Sequence, residues 1–545
     1  MQLFRNIVLA NYIKQIQMKH LYFLVGLALL LTGCKSTTNS VAKAPEIKAV
    51  PANPVDYANT ITAEELKEKL YVYASDDFEG RETGTPGQKK AVEYLKNHYV
   101  NLGVPSPLGA DDYFQEVPLQ KQKAPTMSMT INGNELKAIE SFVSVYGGDD
   151  GQLNVSEIIN LSYGIDDEAY SNYKDVDIDG KVVLIRSGEP KNEDGTYVIT
   201  GSNEVSKWSN MRQQFAAKRD AAKNRGAKAV LFYYPEIYDR FAPRLGGSTG
   251  RLSLKGESNS MYFLMVNENV VKAIYNDENA SMETAEKAVS MKAPMVFNYK
   301  NESDELQSEN VISYIKGSTK PDEYIVISAH LDHEGVKDGQ IYNGADDDGS
   351  GSVAILEIAE AFKAAADKGH GPERSIVFLH VTAEEKGLLG SRYYTDMDPI
   401  FPLENTVANL NIDMIGRTDP KRESENRNYV YLIGSDKLST ELHNLSEEVN
   451  AKYTNIELDY TYNDDNDPNR FYYRSDHYNF AKNNIPIIFY FNGTHADYHR
   501  PSDTVEKIQY DLLENRTKLV FYTAWELANR PSRVMVDKPI ENAGN

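Results

Sequence analysis

Apolar positions follow two rhythms along this chain. From about residue 308 onward, short apolar runs alternate with amphipathic stretches. Tyr324–Ser328, Ser375–Val381, Val407–Ile412, Tyr429–Ile433 and Ile487–Phe491 read as buried strands. Between them, Val353, Ile355, Ile358 and Phe362 mark a helix over Ser350–Lys368, with further helices over Lys437–Tyr453 and Asp503–Asn529. Strand–loop–helix alternation predicts an α/β fold: a mostly parallel mixed sheet with helices on both faces. Sites in such sheets collect at the carboxyl ends of the strands.

Nearer the amino terminus, Thr62-Ala63-Glu64-Glu65 is a capping box that opens a helix with Leu66 and Leu70 on one face. Pro86 starts a second helix that Gly103 stops, and a strand is expected over Tyr113–Leu119. Residues 136–295 then change texture. They hold short β segments such as Lys181–Arg186 and Ala229–Tyr234, separated by a helix over Ser209–Arg225, and read as a smaller inserted α/β domain. The main α/β domain is therefore expected over 58–135 and 296–535, with 536–545 as a tail.

Composition bounds the function. The 545 residues carry 58 Lys plus Arg against 80 Asp plus Glu, a formal charge of −22. Such an excess of acid excludes a general nucleic-acid binder, which needs a basic surface to neutralise phosphates. A single cysteine, Cys34, excludes any disulfide framework within the chain. It follows an 11-residue apolar run, Leu21–Leu31, which is too short for a membrane span of about 20 residues but fits a secretory signal. Leu31-Thr32-Gly33-Cys34 resembles the bacterial lipobox. On that reading, residues 1–33 are the signal, started at Met1 or Met18. Cys34 is lipidated, and 34–57 is a flexible tether. Lys35, which is not an acid, points to the outer membrane facing the periplasm or exterior.

The expected strand ends carry the chemistry. His330-Leu331-Asp332 follows the first apolar strand, and the loop Asn343–Gly351 holds Asp346, Asp347 and Asp348. Glu384-Glu385, Asp413, and Tyr498-His499 with Asp503 follow three further strands. Imidazole with carboxylate is the donor set that zinc and similar divalent ions select, and a carboxylate can join two of them. Ser475-Asp476-His477 is not a serine-hydrolase triad, because three consecutive residues cannot form the relay. Asn463–Asp467 has calcium-loop spacing without the turn glycine. His380 reads as a strand-buried residue, and His333 and His495 as residues that line the pocket.

The ordered set HLDH, GADDDGSG, TAEEKGLLGS, NIDMIG, SDHYNF and YHRPSDT resembles the di-zinc exopeptidases of metallopeptidase family twenty-eight, which include bacterial aminopeptidases and glutamate carboxypeptidase. The insertion resembles a protease-associated domain, most clearly in GKVVLIRSGE and RDAAKNRGAKAVLFYY. The resemblance implies the zinc-exopeptidase fold and two Zn2+ per chain, with other divalent ions possible. Asp347 would bridge the ions, His330 and Asp413 completing one, Glu385 and His499 the other. Glu384 would be the general base, and Asp332 would orient His330 through its second ring nitrogen. Tyr498 would polarise the developing oxyanion. A cis peptide is implied between Asp347 and Asp348. Peptides are then the substrates and an aminopeptidase is the leading reading. The alternatives are a glutamate-carboxypeptidase-like enzyme and an inactive receptor of the same fold. The oligomeric state is left open.

Overall fold

The computed structural model describes residues 52–247, 250–257, 259–282 and 287–540. Residues 1–33 and Cys34 lie outside these. Two sheets organise the described chain. The larger has nine strands, and its centre consists of Ile487–Phe491, Thr406–Ile412, Lys320–His330 and Arg374–Val381, side by side and mutually parallel. Antiparallel strands flank this centre: Tyr429–Ile433 on one side, Ser303–Ile315 and Phe114–Gln122 on the other. The sheet is mixed: its parallel centre consists of apolar runs buried on both faces, and the short, partly exposed edge strand Glu457–Asp459 adds one further parallel pair beside Tyr429–Ile433.

Helices cover both faces. Ala63–Tyr73 begins where the Thr62 side chain accepts from the Glu65 N–H. Pro86–Leu102 ends at Gly103, whose φ of 70° gives the left-handed turn that stops a helix. Gly351–Asp367 buries Val353, Ile355, Ile358 and Phe362 against the sheet and against Tyr510–Asn529. That last helix starts seven residues later than its sequence suggests, because a single turn, Val505–Lys507, intervenes.

The second sheet has eight strands, four of them parallel at its centre: Gly151–Asn160, Val182–Arg186, Ala229–Tyr233 and Tyr262–Val266. It extends beyond the expected 136–295. Thr126–Ile131 and the far end of Val289–Lys300 pair in it, so the insertion runs from about residue 123 to 301. One of its segments, Leu252–Leu254, leaves it and pairs with Phe114–Gln122 as the edge of the larger sheet.

Two other expected boundaries are corrected. The tether does not reach residue 57, because Pro54–Ala58 is helical and Tyr57 stacks on Trp525. The tail is held at its start, where the Asp537 carboxylate accepts the Thr440 N–H. Among the described residues no helix is long and apolar enough to cross a membrane.

Candidate metal centre

Four neighbouring parallel strands end on one rim of the larger sheet. Lys320–His330 delivers His330 as its last residue, and Thr406–Ile412 delivers Asp413 one residue beyond. Glu384 and Glu385 follow Arg374–Val381 by three and four residues, and the loop after Ile487–Phe491 brings in Tyr498 and His499. Asp347 arrives from the loop between a short hairpin and helix Gly351–Asp367.

Three aspartates share that loop, and their hydrogen bonds separate them. Asp346 accepts from the Gly416 N–H at 2.7 Å and faces His495 Nε2 at 3.1 Å. Asp348 accepts from the Gly351 and Met414 N–H groups through Oδ1 and from the His330 N–H through Oδ2. Both carboxylates are committed to holding the loop. The side chain of Asp347 takes no backbone N–H. Its Oδ1 lies 3.1 Å from His330 Nε2 and its Oδ2 lies 3.1 Å from His499 Nε2.

Each side has a further carboxylate. Asp413 Oδ1 is 3.7 Å from His330 Nε2, and Glu385 Oε2 is 3.1 Å from His499 Nε2. The five sequence-predicted ligands therefore converge, with Asp347 between His330 and Asp413 on one side and Glu385 and His499 on the other. The peptide between Asp347 and Asp348 is cis. The Asp503 carboxylate accepts from both the Asp346 and Asp347 N–H groups at 3.0 and 3.2 Å.

These donors suit a divalent cation. Asp347 Oδ2, Glu385 Oε1 and both ring nitrogens of His333 are buried and make no well-aligned hydrogen bond, although His499 Nε2 lies 3.1 Å from Asp347 Oδ2 and His333 Nδ1 lies 2.9 Å from Glu385 Oε1. Orphaned buried carboxylate and imidazole atoms are costly unless a cation or ordered ligand completes them. The charge pattern agrees. Burial opposes charge on His330, but Glu384, Asp347 and Asp413 raise its pKa well above the usual range. His499 is likewise pushed up to about 9 against its burial by Asp347 and Glu385. Burial, then the neighbouring Glu385 and Asp413 charges, hold Glu384 well above the ordinary carboxylate range.

Two neighbours enlarge the ligand field. His333 Nδ1 lies 2.9 Å from Glu385 Oε1, and Glu334 groups with Glu385 and His499 within 4.8 Å. Sequence reasoning gave His333 only a lining role and passed over Glu334. Their adjacency to His330 was the available signal, but a strand end projects successive residues in different directions.

Asp332 departs from expectation. The second ring nitrogen of His330 meets the Asp332 backbone carbonyl at 2.9 Å, while the carboxylate stands 3.9 Å away. That carboxylate instead accepts from the Glu384 N–H at 3.1 Å and the Thr83 hydroxyl at 2.9 Å, so it positions the Glu384 backbone. Tyr498 stacks on His499 and accepts from Arg474 Nη2 at 3.3 Å. Both line one cavity with Glu384, Asp347, Asp413 and His499, walled by Met414, Phe471, Phe489 and Phe491. His380 is buried within its strand, bonded to the Tyr99 hydroxyl at 2.8 Å, and burial lowers it to about 3.

Arg81 lies outside every motif noted in the sequence, yet it ties the site together. Its buried guanidinium donates to the carbonyls of Leu331, Asn343 and Gly344 at 3.1, 2.7 and 2.9 Å, and to Tyr73 at 3.3 Å. The first three flank the ligand-bearing segments. Gly344 is required beside them: φ is +54°, and a Cβ would fall 2.2 Å from the Asp347 carbonyl oxygen.

Residues 310–524 match the sequence profile of Peptidase family M28. Aminopeptidase NAALADL1 of Mus musculus is 36% identical over 108 residues, 20% of this chain and 14% of that protein. The probable lipoprotein aminopeptidase LpqL of Mycobacterium tuberculosis is 26% identical over 404 residues, 73% of this chain and 67% of that protein. Among solved structures, the aminopeptidase from Aneurinibacillus sp. strain AM-1 gives a TM-score of 0.46 at 19% identity, covering 90% of this chain and 99% of that one. The chain spans about 14% of the length of the first curated relatives it matches. The profile match covers the segment that carries all five converging donors, His330, Asp347, Glu385, Asp413 and His499.

Proposed function

We propose that this protein is a co-catalytic two-zinc exopeptidase that removes residues from the amino termini of peptides. The observation that carries the reading is Asp347, whose two oxygens each lie 3.1 Å from an imidazole of a separate ligand set. His330 and Asp413 would hold one ion and Glu385 and His499 the other, with Asp347 shared between them. Bound zinc supplies Lewis acidity for the attacking water and the scissile carbonyl.

The chain's own groups supply the rest. Glu384 stands at the cavity without an assigned place in either ligand set. It takes a proton as water adds to the carbonyl carbon and returns it to the departing amine nitrogen as the C–N bond breaks. The Tyr498 hydroxyl donates to the developing oxyanion. Carboxylates around the cavity suit the α-ammonium group of a free amino terminus.

The test is Glu384→Gln on metal-analysed protein. We expect two zinc ions per chain in both forms, and a fall of about 10²–10⁴-fold in cleavage of an aminoacyl anilide. Full activity in this variant, or undiminished cleavage after chelation, would sink the reading. Arg474 in the same cavity favours a second reading, a glutamate-carboxypeptidase-like enzyme that grips a terminal carboxylate. Matched peptides blocked at one end or the other separate the two.

The lipobox-like segment supports a mature protein anchored in the bacterial envelope through Cys34, facing the periplasm or exterior. Cys34→Ala should move the protein from the membrane to the soluble fraction.

A further inference from the structure

Outside the metal centre, a cleft of about 830 Å³ opens between the inserted domain and the loop that walls the metal-side cavity. The insertion contributes Lys207, Trp208 and Arg212, and the catalytic part contributes Pro468, Asn469 and Arg470.

The charge of this cleft runs against that of the chain. Lys207, Arg212 and Arg470 are exposed, and the ion pairs among the described residues include none of them. The two acids in the cleft, Asp166 and Asp220, are already neutralised by Arg225 and Arg219, each at 2.7 Å. An acidic protein thus keeps three uncompensated cations in one concave place. Two of them are held over rings. The Lys207 ammonium lies 5.0 Å above Trp208, itself buried and bonded to Asp167 at 3.0 Å, and the Arg470 guanidinium lies 4.8 Å above Tyr473.

One short segment joins this cleft to the catalytic cavity. The Asp467 carboxylate fixes its start by accepting from the Asn469 and Phe471 N–H groups, each at 3.0 Å. Arg470 faces the cleft, while Phe471 and Arg474 face the cavity that holds Glu384 and His499. Phe471–Tyr473 is a 3-10 turn, so Arg470 and Arg474 are only about 8 Å apart along the backbone and their side chains enter neighbouring cavities. An extended peptide advances about 3.3 Å per residue, so a peptide of a few residues reaches from one cavity to the other.

We infer that the cleft between the inserted domain and the Pro468–Arg474 loop receives the far end of a bound peptide, and that Lys207, Arg212 and Arg470 select a carboxylate there. The inference rests on the exopeptidase reading and adds a substrate class to it: short peptides with a free carboxyl terminus, or an acidic residue, a few positions from the cut end. The insertion then acts as a substrate selector.

The experiment compares a pentapeptide with a free carboxyl terminus against its carboxyl-terminal amide, using the full chain and the double variant Lys207→Glu/Arg212→Glu. Leucyl anilide cleavage by the unaltered protein tests the exopeptidase reading separately. The unaltered protein should show a KM about 5–10-fold lower for the acid than for the amide, with similar kcat, and the preference should shrink in high salt. The double variant should lose the preference, and Lys207→Gln/Arg212→Gln should lose about half of it. Equal KM values for acid and amide, or a preference that survives charge reversal, would overturn the selector while leaving anilide cleavage intact. Failure to cleave the anilide and both peptides would overturn both readings.

Discussion

The smaller sheet and the larger sheet that bears the candidate metal centre share a design, parallel strands flanked by antiparallel ones, but treat their buried charges differently. In the insertion, the buried Glu189 carboxylate accepts from the Ser206 N–H at 2.8 Å, the Ser206 hydroxyl at 2.7 Å and the Ser209 hydroxyl. Lys218, also buried, donates to the carbonyls of Gly188 and Tyr163. Among the described residues of the insertion, the side-chain atoms buried without a hydrogen bond belong to three hydroxyls, one guanidinium and the amide of Asn301. At the rim of the larger sheet the atoms without a well-aligned hydrogen bond include Asp347 Oδ2, Glu385 Oε1 and both His333 nitrogens, which crowd against one another as carboxylates and imidazoles. A completed buried charge supports a fold, whereas an incomplete cluster of mixed donors marks a place for something to bind.

The comparison breaks most readily at Arg81, a buried cation that serves the incomplete cluster. Arg81→Met should strand the carbonyls of Leu331, Asn343 and Gly344, costing about 3–5 kcal/mol and weakening zinc binding, as read by thermal unfolding with and without metal. Arg81→Lys should recover less than half, because one ammonium cannot reproduce the guanidinium fork. A loss below about 1 kcal/mol in Arg81→Met would mean that the ligand loops hold themselves.

A middle-sized effect should come from the insertion. Glu189→Ala removes an acceptor for three donors and should destabilise the insertion by about 2 kcal/mol, seen as faster hydrogen exchange around Ser206 and Ser209. Metal content at the other sheet should not change. A drop in bound zinc would show that the two regions are coupled more tightly than their separate cores indicate.

The smallest effect is a pH dependence. Burial lowers the Lys218 amine to about 7, against the opposing charge of Glu189, whereas an unfolded lysine titrates near 10.4. Between those values the unfolded chain holds a proton that the folded insertion does not. Stability therefore rises with pH from about 7 upward, by about 1–2 kcal/mol by pH 9. Hydrogen exchange of helix Gln214–Asn224, corrected for intrinsic rates, should show this rise, and Lys218→Met should flatten it.

Legibility in the sequence followed the locality of the interactions. Tyr429–Ile433 and Ile487–Phe491 have the bounds expected of them, because a strand buried on both faces is a continuous apolar run. Helix starts were harder to read where a polar loop precedes them. The helix expected from Ser209 begins at Gln214, after a stretch of turns around Trp208. The limits of the insertion depended on Val289–Lys300 pairing with strands more than 100 residues earlier, a register that no local pattern records. At the candidate site, residue types and their order were readable, but the partner of the Asp332 carboxylate was not. Its bonds to Glu384 and Thr83 span 52 and 249 residues.

Local spacing alone could therefore decide which elements form and which donors stand at the same strand ends, since periodicity and chain order are properties of neighbouring residues. It placed three adjacent aspartates in one loop and left cations scattered through a distant insertion. Tertiary contacts decided the rest. They tied Asp346 and Asp348 to backbone groups, left Asp347 open to two imidazoles, and brought Lys207 and Arg212 opposite Arg470. The physical reason is that a buried polar group is defined by whichever partner completes it, and in this molecule those partners come from far along the chain.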